Sequence, residues 1–375
     1  MKVVLAFDSF KGSLDAVAVC TAAAFGLARL TPMPEVVRVP LSDGGEGFAQ
    51  AMLLAGGGEA RELMVSGPLL ERTRAQIVLL DAGGTAVLES AQACGLGLVP
   101  TDRRSPLRTT TYGLGEMLAG AEEAGAERAI VGLGGSATND AGLGLLAALD
   151  WQFLDDCGDP LPPVGASLGR VARIIPGRRP HLQIIAACDV TNPLYGPHGA
   201  AHTYAPQKGA SAEDIEALDR GLRHFADVSA ALLGRDDSSL PGAGAAGGLG
   251  FALLAFLGAE FRPGAELAIE LSRLDDHLNG ADLCLTGEGQ TDGQTACGKL
   301  PAAVAARCAH AGVPCVCLSG ALGEGWRALY DCGMTAVLSI SQRPQELSTA
   351  ITSTPTALAD AAEAVGRIVG GLISL

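Results

Sequence analysis

With 375 residues, 48% of them hydrophobic and 18% charged, the chain has core enough for two domains or three and is too apolar for intrinsic disorder. Aromatics make up only 4% while glycine reaches 51 residues, a balance that suits many short strand–helix connections better than a β-sandwich. A formal net charge of −15 argues against nucleic acid or an anionic membrane as partner, so an anionic ligand would need a fixed local cluster of donors.

Residues 3–7 read as a strand running into Asp8-Ser9-Phe10-Lys11-Gly12-Ser13, with Ser13 capping a helix over 14–30. A second strand at 36–39 leads to Leu41-Ser42-Asp43-Gly44-Gly45-Glu46-Gly47 and a helix over 48–54. Both strands carry polar residues at their carboxyl ends, where open parallel sheets put ligands. From residue 60 the pattern changes to short strands at 63–65, 75–80 and 85–88, the last two joined through 81–84 as a hairpin. Helices near Ala91 and over 112–124 precede a strand at 129–133, the turn 134–140, and a buried helix over 143–149. Residues 151–154 with 156–159 suggest another hairpin, and 182–187 a buried strand that ends at Asp189. Ser211 and Asp214 form a capping box for a helix to about 233. Strand–helix alternation resumes at 281–285 and continues through strands at 313–318 and 335–340 to a last helix over 357–375. The expected architecture is α/β: a Rossmann-like parallel-sheet domain, 1–62 and 281–375, interrupted by an inserted α/β domain, 63–280.

The ten cysteines are dispersed without a C-x-x-C pair, as expected of buried reduced thiols in a cytoplasmic protein. No leader pattern and no long apolar run stands out, so the expectation is a soluble chain without a membrane partner.

Several clusters could carry chemistry. In Gly134-Gly135-Ser136-Ala137-Thr138-Asn139-Asp140, paired glycines could turn N–H groups into an anion-holding concavity. Ser136, Thr138 and Asn139 add side-chain donors, and Asp140 could hold Mg²⁺ beyond a phosphate. The same residues also read as a strand-to-helix turn capped by Asn139 or Asp140. Lys11 could reach a phosphate or a carboxylate, with a solvated loop capped by Asp8 as the alternative. Asp43 and Glu46 flank Gly44 and Gly45 and offer carboxylates for Mg²⁺ or for substrate hydroxyls; they could equally stabilise a helix N-terminus. Asp189 is a candidate general base if partial burial raises its pKa, and an Asx-turn toward Pro193 explains it as well. Lys208 reads as a surface lysine, and residues 242–250 as close helix packing. The stretch 286–295 follows a strand and carries Glu288, Asp292 and Gln294; Lys299 follows Gly298. Gly293 to Lys299 approaches a Walker A spacing, yet Leu300 stands where Ser or Thr would hold Mg²⁺. The first strand lacks a following G-x-G-x-x-G, which counts against a dehydrogenase.

Taken together, Asp8-Ser-Phe-Lys-Gly-Ser13, Pro40-Leu-Ser-Asp-Gly-Gly-Glu-Gly47, Pro106 to Gly113, Gly132 to Asp140, Ala187 to Pro193, Pro206-Gln-Lys-Gly209, Gly242 to Gly250 and Thr286 to Lys299 resemble the motifs of the glycerate kinase family, in family order. The resemblance implies transfer of the γ-phosphoryl of ATP to D-glycerate with Mg²⁺, at the 2-hydroxyl, in a cleft between two α/β domains. It assigns Gly134, Gly135, Ser136 and Thr138 to phosphates, with Asn139 in support. Ser9, Lys11 and Lys299 would neutralise charge. Asp189 would orient or deprotonate the hydroxyl, with Asp43 and Asp292 as rivals for base or Mg²⁺ ligand. Asp8, Asn192, Lys208, Glu288 and Gln294 join the binding set. Gln290-Thr291 departs from the family pattern, where an arginine and an aliphatic residue are expected. A phosphoglycerate made at the 3-hydroxyl, a related hydroxy acid as acceptor, another nucleotide-dependent enzyme and a non-catalytic sugar-acid sensor are the competing readings, and a homo-oligomer is left open.

Overall fold

The computed structural model describes residues 1–45 and 47–373. The chain is mixed α/β and divides into two compact units: Met1–Asp43, Gln50–Gly57 and Gly264–Leu375 form unit 1, and Gly44–Ala49 with Gly58–Pro263 form unit 2.

Unit 1 is built on a five-stranded, wholly parallel sheet in the order Ala336–Ser339, Cys315–Ser319, Leu283–Thr286, Lys2–Leu5, Glu35–Arg38. Numbered along the chain and read from the Glu35–Arg38 edge, this is the 2-1-3-4-5 order of flavodoxin-like sheets, not the 3-2-1-4-5-6 order of a dinucleotide-binding Rossmann sheet. The order reverses between Lys2–Leu5 and Leu283–Thr286. Ligands of open parallel sheets bind beyond the carboxyl ends of the strands at such a reversal, which points to the loops from Asp8 and from Gly287. Alternation sorts the side chains between two faces. Val3, Leu5, Leu283, Leu285, Val316 and Leu318 share a core with helices Ala16–Leu27 and Leu347–Ile373, which pack on each other. Cys284 and Cys315 fall on the opposite face, where helix Leu300–Ala311 packs.

Two boundaries differ from the sequence reading, for one shared reason. The last helix begins at Leu347, not near 357, and runs through Pro355. Proline has no N–H for the carbonyl four residues back, that of Ile351, and would normally end the helix. Here Ser13 Oγ donates to that carbonyl at 2.8 Å. Ser13 is therefore engaged elsewhere and does not cap the first helix. A tight bridge between Phe10 and Leu14 delays that helix to Ala16, and Asp15 caps it by accepting from the Ala18 N–H at 2.7 Å.

Unit 2 holds a six-stranded mixed sheet in the order Glu260–Arg262, Gln183–Ala187, Arg128–Gly132, Thr85–Glu89, Arg72–Leu80, Glu59–Ser66. The first four strands are parallel and the last two antiparallel, with the expected hairpin between Arg72–Leu80 and Thr85–Glu89. Gln152–Leu154 pairs with Arg173–Ile175 instead of closing a local hairpin, which leaves one bridge between Leu154 and Pro160. Helix Ala212–Leu233 opens on the expected capping box, the Ser211 hydroxyl accepting from Asp214 N–H and the Asp214 carboxylate from Ser211 N–H. Its Phe225 joins Trp151, Phe153, Phe251 and Phe256 in a ring cluster of mostly edge-on contacts. The cysteines whose side chains are described are free thiols, and among the described residues no helix is long and apolar enough to cross a membrane.

Loss of the Ser13 hydroxyl leaves the Ile351 carbonyl without its donor, so Ser13→Ala should lower unfolding free energy by ~1 kcal/mol. Pro355→Ala restores a backbone donor to that carbonyl, so the same loss should shrink or vanish in the Pro355→Ala background. Urea unfolding of the two single variants and the double variant reads this coupling.

Candidate active site

At the reversal point of unit 1 the backbone ladder outlasts the formal strands. Ala6 N–H donates to Leu285 O at 2.8 Å, Asp8 N–H to Gly287 O at 3.1 Å, and Leu41 N–H to Phe7 O at 2.9 Å. Gly287 fits because a Cβ there would overlap the Leu318 carbonyl oxygen, so only glycine lets these loops close on one another. This continuation carries Asp8 and Glu288 to the carboxyl ends of the two central strands, with Asp43 following the edge strand.

Asp8 is only 8% exposed. Burial first, then the nearby Asp43 and Glu288 carboxylates, raise its pKa from 3.8 to about 7, against the opposing pull of the Ser9 N–H, which donates to Asp8 Oδ1 at 2.6 Å, and of Lys11. Glu288 is likewise raised, mainly by burial and in part by Asp292, while hydrogen bonds from Thr295 Oγ1 at 2.6 Å and Thr291 Oγ1 at 3.3 Å and the charge of Lys299 pull the other way. Asp292 accepts from Gln294 N–H at 2.9 Å, and the Asp292 N–H donates to Thr295 Oγ1 at 3.1 Å. Lys299 directly precedes helix Leu300–Ala311, with Pro301 in its first turn; a short 3-10 turn at Thr295–Cys297 stands where a Walker cradle would be. Unit 1 thus gathers Asp8, Ser9, Lys11, Asp43, Glu288, Asp292, Gln294 and Lys299. Gln290–Thr291, the departure from the family pattern, pairs with Ala321–Leu322. Thr291 is fully buried and spends its hydroxyl on Glu288.

Unit 2 builds a second cluster from two glycine corners. Gly134 N–H donates to Gly44 O at 3.1 Å, and a Cβ on Gly134 would come within 2.5 Å of Gly45 Cα. The paired glycines therefore serve first to let two backbone corners lie on one another. Gly135 is the exposed tip of the turn, with φ +74°. Its N–H and that of Ser136 have no hydrogen-bond partner among the described residues. Behind the tip the turn is braced from inside. Lys208, read as a surface lysine, is 2% exposed and donates to Ser136 Oγ at 2.9 Å and Thr138 O at 2.6 Å. Burial lowers its pKa to about 8 against the opposing influence of the nearby Asp140 carboxylate. Asp140 is fully buried, and its carboxylate accepts from Thr111 N–H, Thr111 Oγ1, Gly142 N–H and Gly144 N–H at 2.8 to 3.1 Å. The amino end of helix Leu143–Ala147 is thereby spent on Asp140, whose carboxylate is engaged by these four donors. Asn139 is buried too, and neither of its amide atoms finds a partner among the described residues.

The remaining candidates divide similarly. Asp189 follows strand Gln183–Ala187 but is exposed, so the burial expected to raise its pKa is absent. The Asn192 amide is occupied, donating to His198 O at 2.7 Å and accepting from Tyr204 OH at 2.7 Å. Residues 242–250 pack closely, as expected: a Cβ on Gly247 would overlap Thr138 O. Glu46 lies outside the described residues. Two residues escaped the sequence reading. Glu89, 3% exposed, accepts from Gly47 N–H at 2.9 Å and anchors the 44–49 corner to unit 2. Its signal was a lone acid ending the apolar strand Thr85–Glu89. Thr111 is the main partner of Asp140; it lay within the motif Pro106 to Gly113, but no role was read for it.

In class this is an α/β protein with parallel sheets, carrying a crowded carboxylate cluster and a glycine-lined corner. Residues 3–370 match the family described as "Glycerate kinase family". The chain is 42% identical over 354 residues to "Glycerate kinase" of Bacillus cereus, covering 93% of each. It is 42% identical over 344 residues to "Glycerate 2-kinase" of Escherichia coli, covering 91% of this chain and 90% of that one. The crystal structure of putative glycerate kinase 2 from Salmonella typhimurium superposes with a TM-score of 0.86 at 39% identity, covering 100% of both chains. The chain belongs to the glycerate kinase family.

Because Asp8 holds its proton up to about pH 7 when folded and releases it near 4 when unfolded, folding is penalised as pH rises. The penalty is absent below about pH 4, grows between the two pKa values and is complete above the higher one. Asp8→Asn removes it. The variant should gain ~2–4 kcal/mol over the parent at pH 8 and nothing near pH 4, in urea unfolding without divalent cations.

Proposed function

We propose that this chain is an ATP-dependent glycerate kinase that phosphorylates D-glycerate at its 2-hydroxyl to give 2-phosphoglycerate and ADP. What supports the position of transfer is the likeness to the Escherichia coli glycerate 2-kinase. The observation that carries the chemistry is Asp8, a carboxyl group raised to about 7 at the reversal point of a parallel sheet. A proton acceptor works best with a pKa near the operating pH, a condition that Asp8 meets.

Phosphoryl transfer asks the protein mainly for positioning and charge neutralisation. In this reading Gly135 and Ser136 hold phosphate oxygens through their N–H groups, and Lys208 keeps the turn in shape from behind. Lys11 and Lys299 neutralise the glycerate carboxylate and the transferring phosphoryl group. Asp8 takes the proton of the attacking hydroxyl, and Asp189 orients the acceptor. The domain plan of 1–62 with 281–375 around 63–280 is likewise part of the proposal.

Mg²⁺ fits the residues present. Asp8, Asp43, Glu288 and Asp292 outnumber Lys11 and Lys299, and hard oxygen donors in surplus suit a divalent cation. Asp43 and Asp292 would hold it. When bound, the ion neutralises charge on phosphate oxygens. A cytoplasmic location accords with free thiols.

Phosphorus NMR of the reaction with D-glycerate and Mg-ATP should show 2-phosphoglycerate and ADP in equal amounts. A 3-phosphoglycerate product would overturn the position, and ATP consumed without any phosphoglycerate would overturn the kinase reading. Asp8→Asn should lower kcat roughly 10²–10⁴-fold while leaving the fold intact, and Asp189→Asn should cost less. The reverse ranking would return the proton to Asp189.

A further inference from the structure

Three thiols meet inside unit 1 on the sheet face that the site does not use. Cys284 and Cys315 are register partners on adjacent parallel strands, so their side chains leave the same face. Cys308, on the helix Leu300–Ala311 covering that face, completes a triangle. The three sulfur atoms lie within 4.8 Å of one another, all three residues are fully buried, and none is in a disulfide. The Cys308 thiol is lowered by its neighbours Cys284 and Cys315, while theirs are raised in turn, as expected of three sulfur atoms brought close together.

We propose that Cys284, Cys308 and Cys315 form a three-sulfur binding site for trivalent arsenic. Thiolate ligands select soft, thiophilic ions, and the choice among these falls to charge. A divalent ion such as zinc would leave three thiolates with a net negative charge in a buried place, and zinc's fourth ligand is missing among the described residues. Asp275 adds negative charge near Cys308, and it already pairs with Arg307 at 3.1 Å. Arsenic(III) with three thiolates is neutral and carries no such penalty. The exchange balances: arsenous acid gives up three As–O bonds and three thiols give up S–H. Three As–S bonds form, three waters leave, and nothing is oxidised or reduced. The site lies behind the catalytic loops, since Cys284 and Cys315 sit on the strands that run into Gly287-Glu288 and Ser319-Gly320. It does not depend on the proposed function.

Native mass spectrometry of the reduced, folded full chain with arsenite tests this. One adduct per chain is expected, with the mass of one arsenic less three hydrogens. Cys308→Ser and Cys315→Ala should each abolish it, and Cys157→Ser, at an exposed cysteine, should leave it unchanged; circular dichroism confirms that each variant is folded. Absence of the adduct in the native chain, its persistence in Cys308→Ser, or its formation only in urea would overturn the site.

Discussion

Asp8 is held in a buried place with the Asp43 and Glu288 carboxylates near it, and the rest of the proposed site depends on that burial and crowding. The force that holds them is the parallel sheet itself. Its hydrogen bonds continue past Leu5 and Thr286 to Asp8 and Gly287, and a glycine at 287 lets the next strand's end close over the loop. Like charges in a half-dry place have two ways to relieve repulsion: one group keeps a proton, or a cation arrives. Both suit a reaction that moves a proton off a hydroxyl and a phosphoryl group onto it. Lys11 and Lys299, at the margins of the cluster, moderate the repulsion without cancelling it.

Unit 2 solves a different problem. Its glycine corner is exposed at the tip and braced at the base. Polar groups usually left to solvent are buried here to do the fixing: Lys208 beneath Ser136 and Thr138, Asp140 on four donors, Glu89 under the 44–49 corner. Each is satisfied by hydrogen bonds, as a buried charge must be. Placing such residues behind the turn aims backbone N–H groups with more precision than a flexible side chain on the surface could.

Much of this was legible in the sequence, because strands ending in polar, glycine-bearing loops and a Ser211–Asp214 capping box have local causes. The parallel strands, the central turn and the loops that carry Asp8, Asp43, Glu288 and Asp292 were visible in that way. What local pattern cannot reveal is which way a polar residue points. Lys208 looked exposed between Pro206 and Gly209 and is buried; Asp140 looked like a metal ligand and is consumed internally; Asp189 looked half-buried and is exposed. Sheet order was equally hidden, because the strand that neighbours Lys2–Leu5 at the reversal point lies some way down the chain, at Leu283–Thr286. Pro355 misled for the same reason: the hydroxyl that answers it comes from Ser13, far away in sequence.

One carboxyl group is central to the proposed chemistry, and its titration can be watched directly. Carbon NMR of aspartate-labelled chain, with Asp8 assigned by its loss in Asp8→Asn, follows that carboxyl through a pH titration without divalent cations. A midpoint at about 7, moving down when Asp43 is replaced by Asn, is the predicted result. A midpoint in the ordinary carboxylate range, indifferent to Asp43, would contradict it.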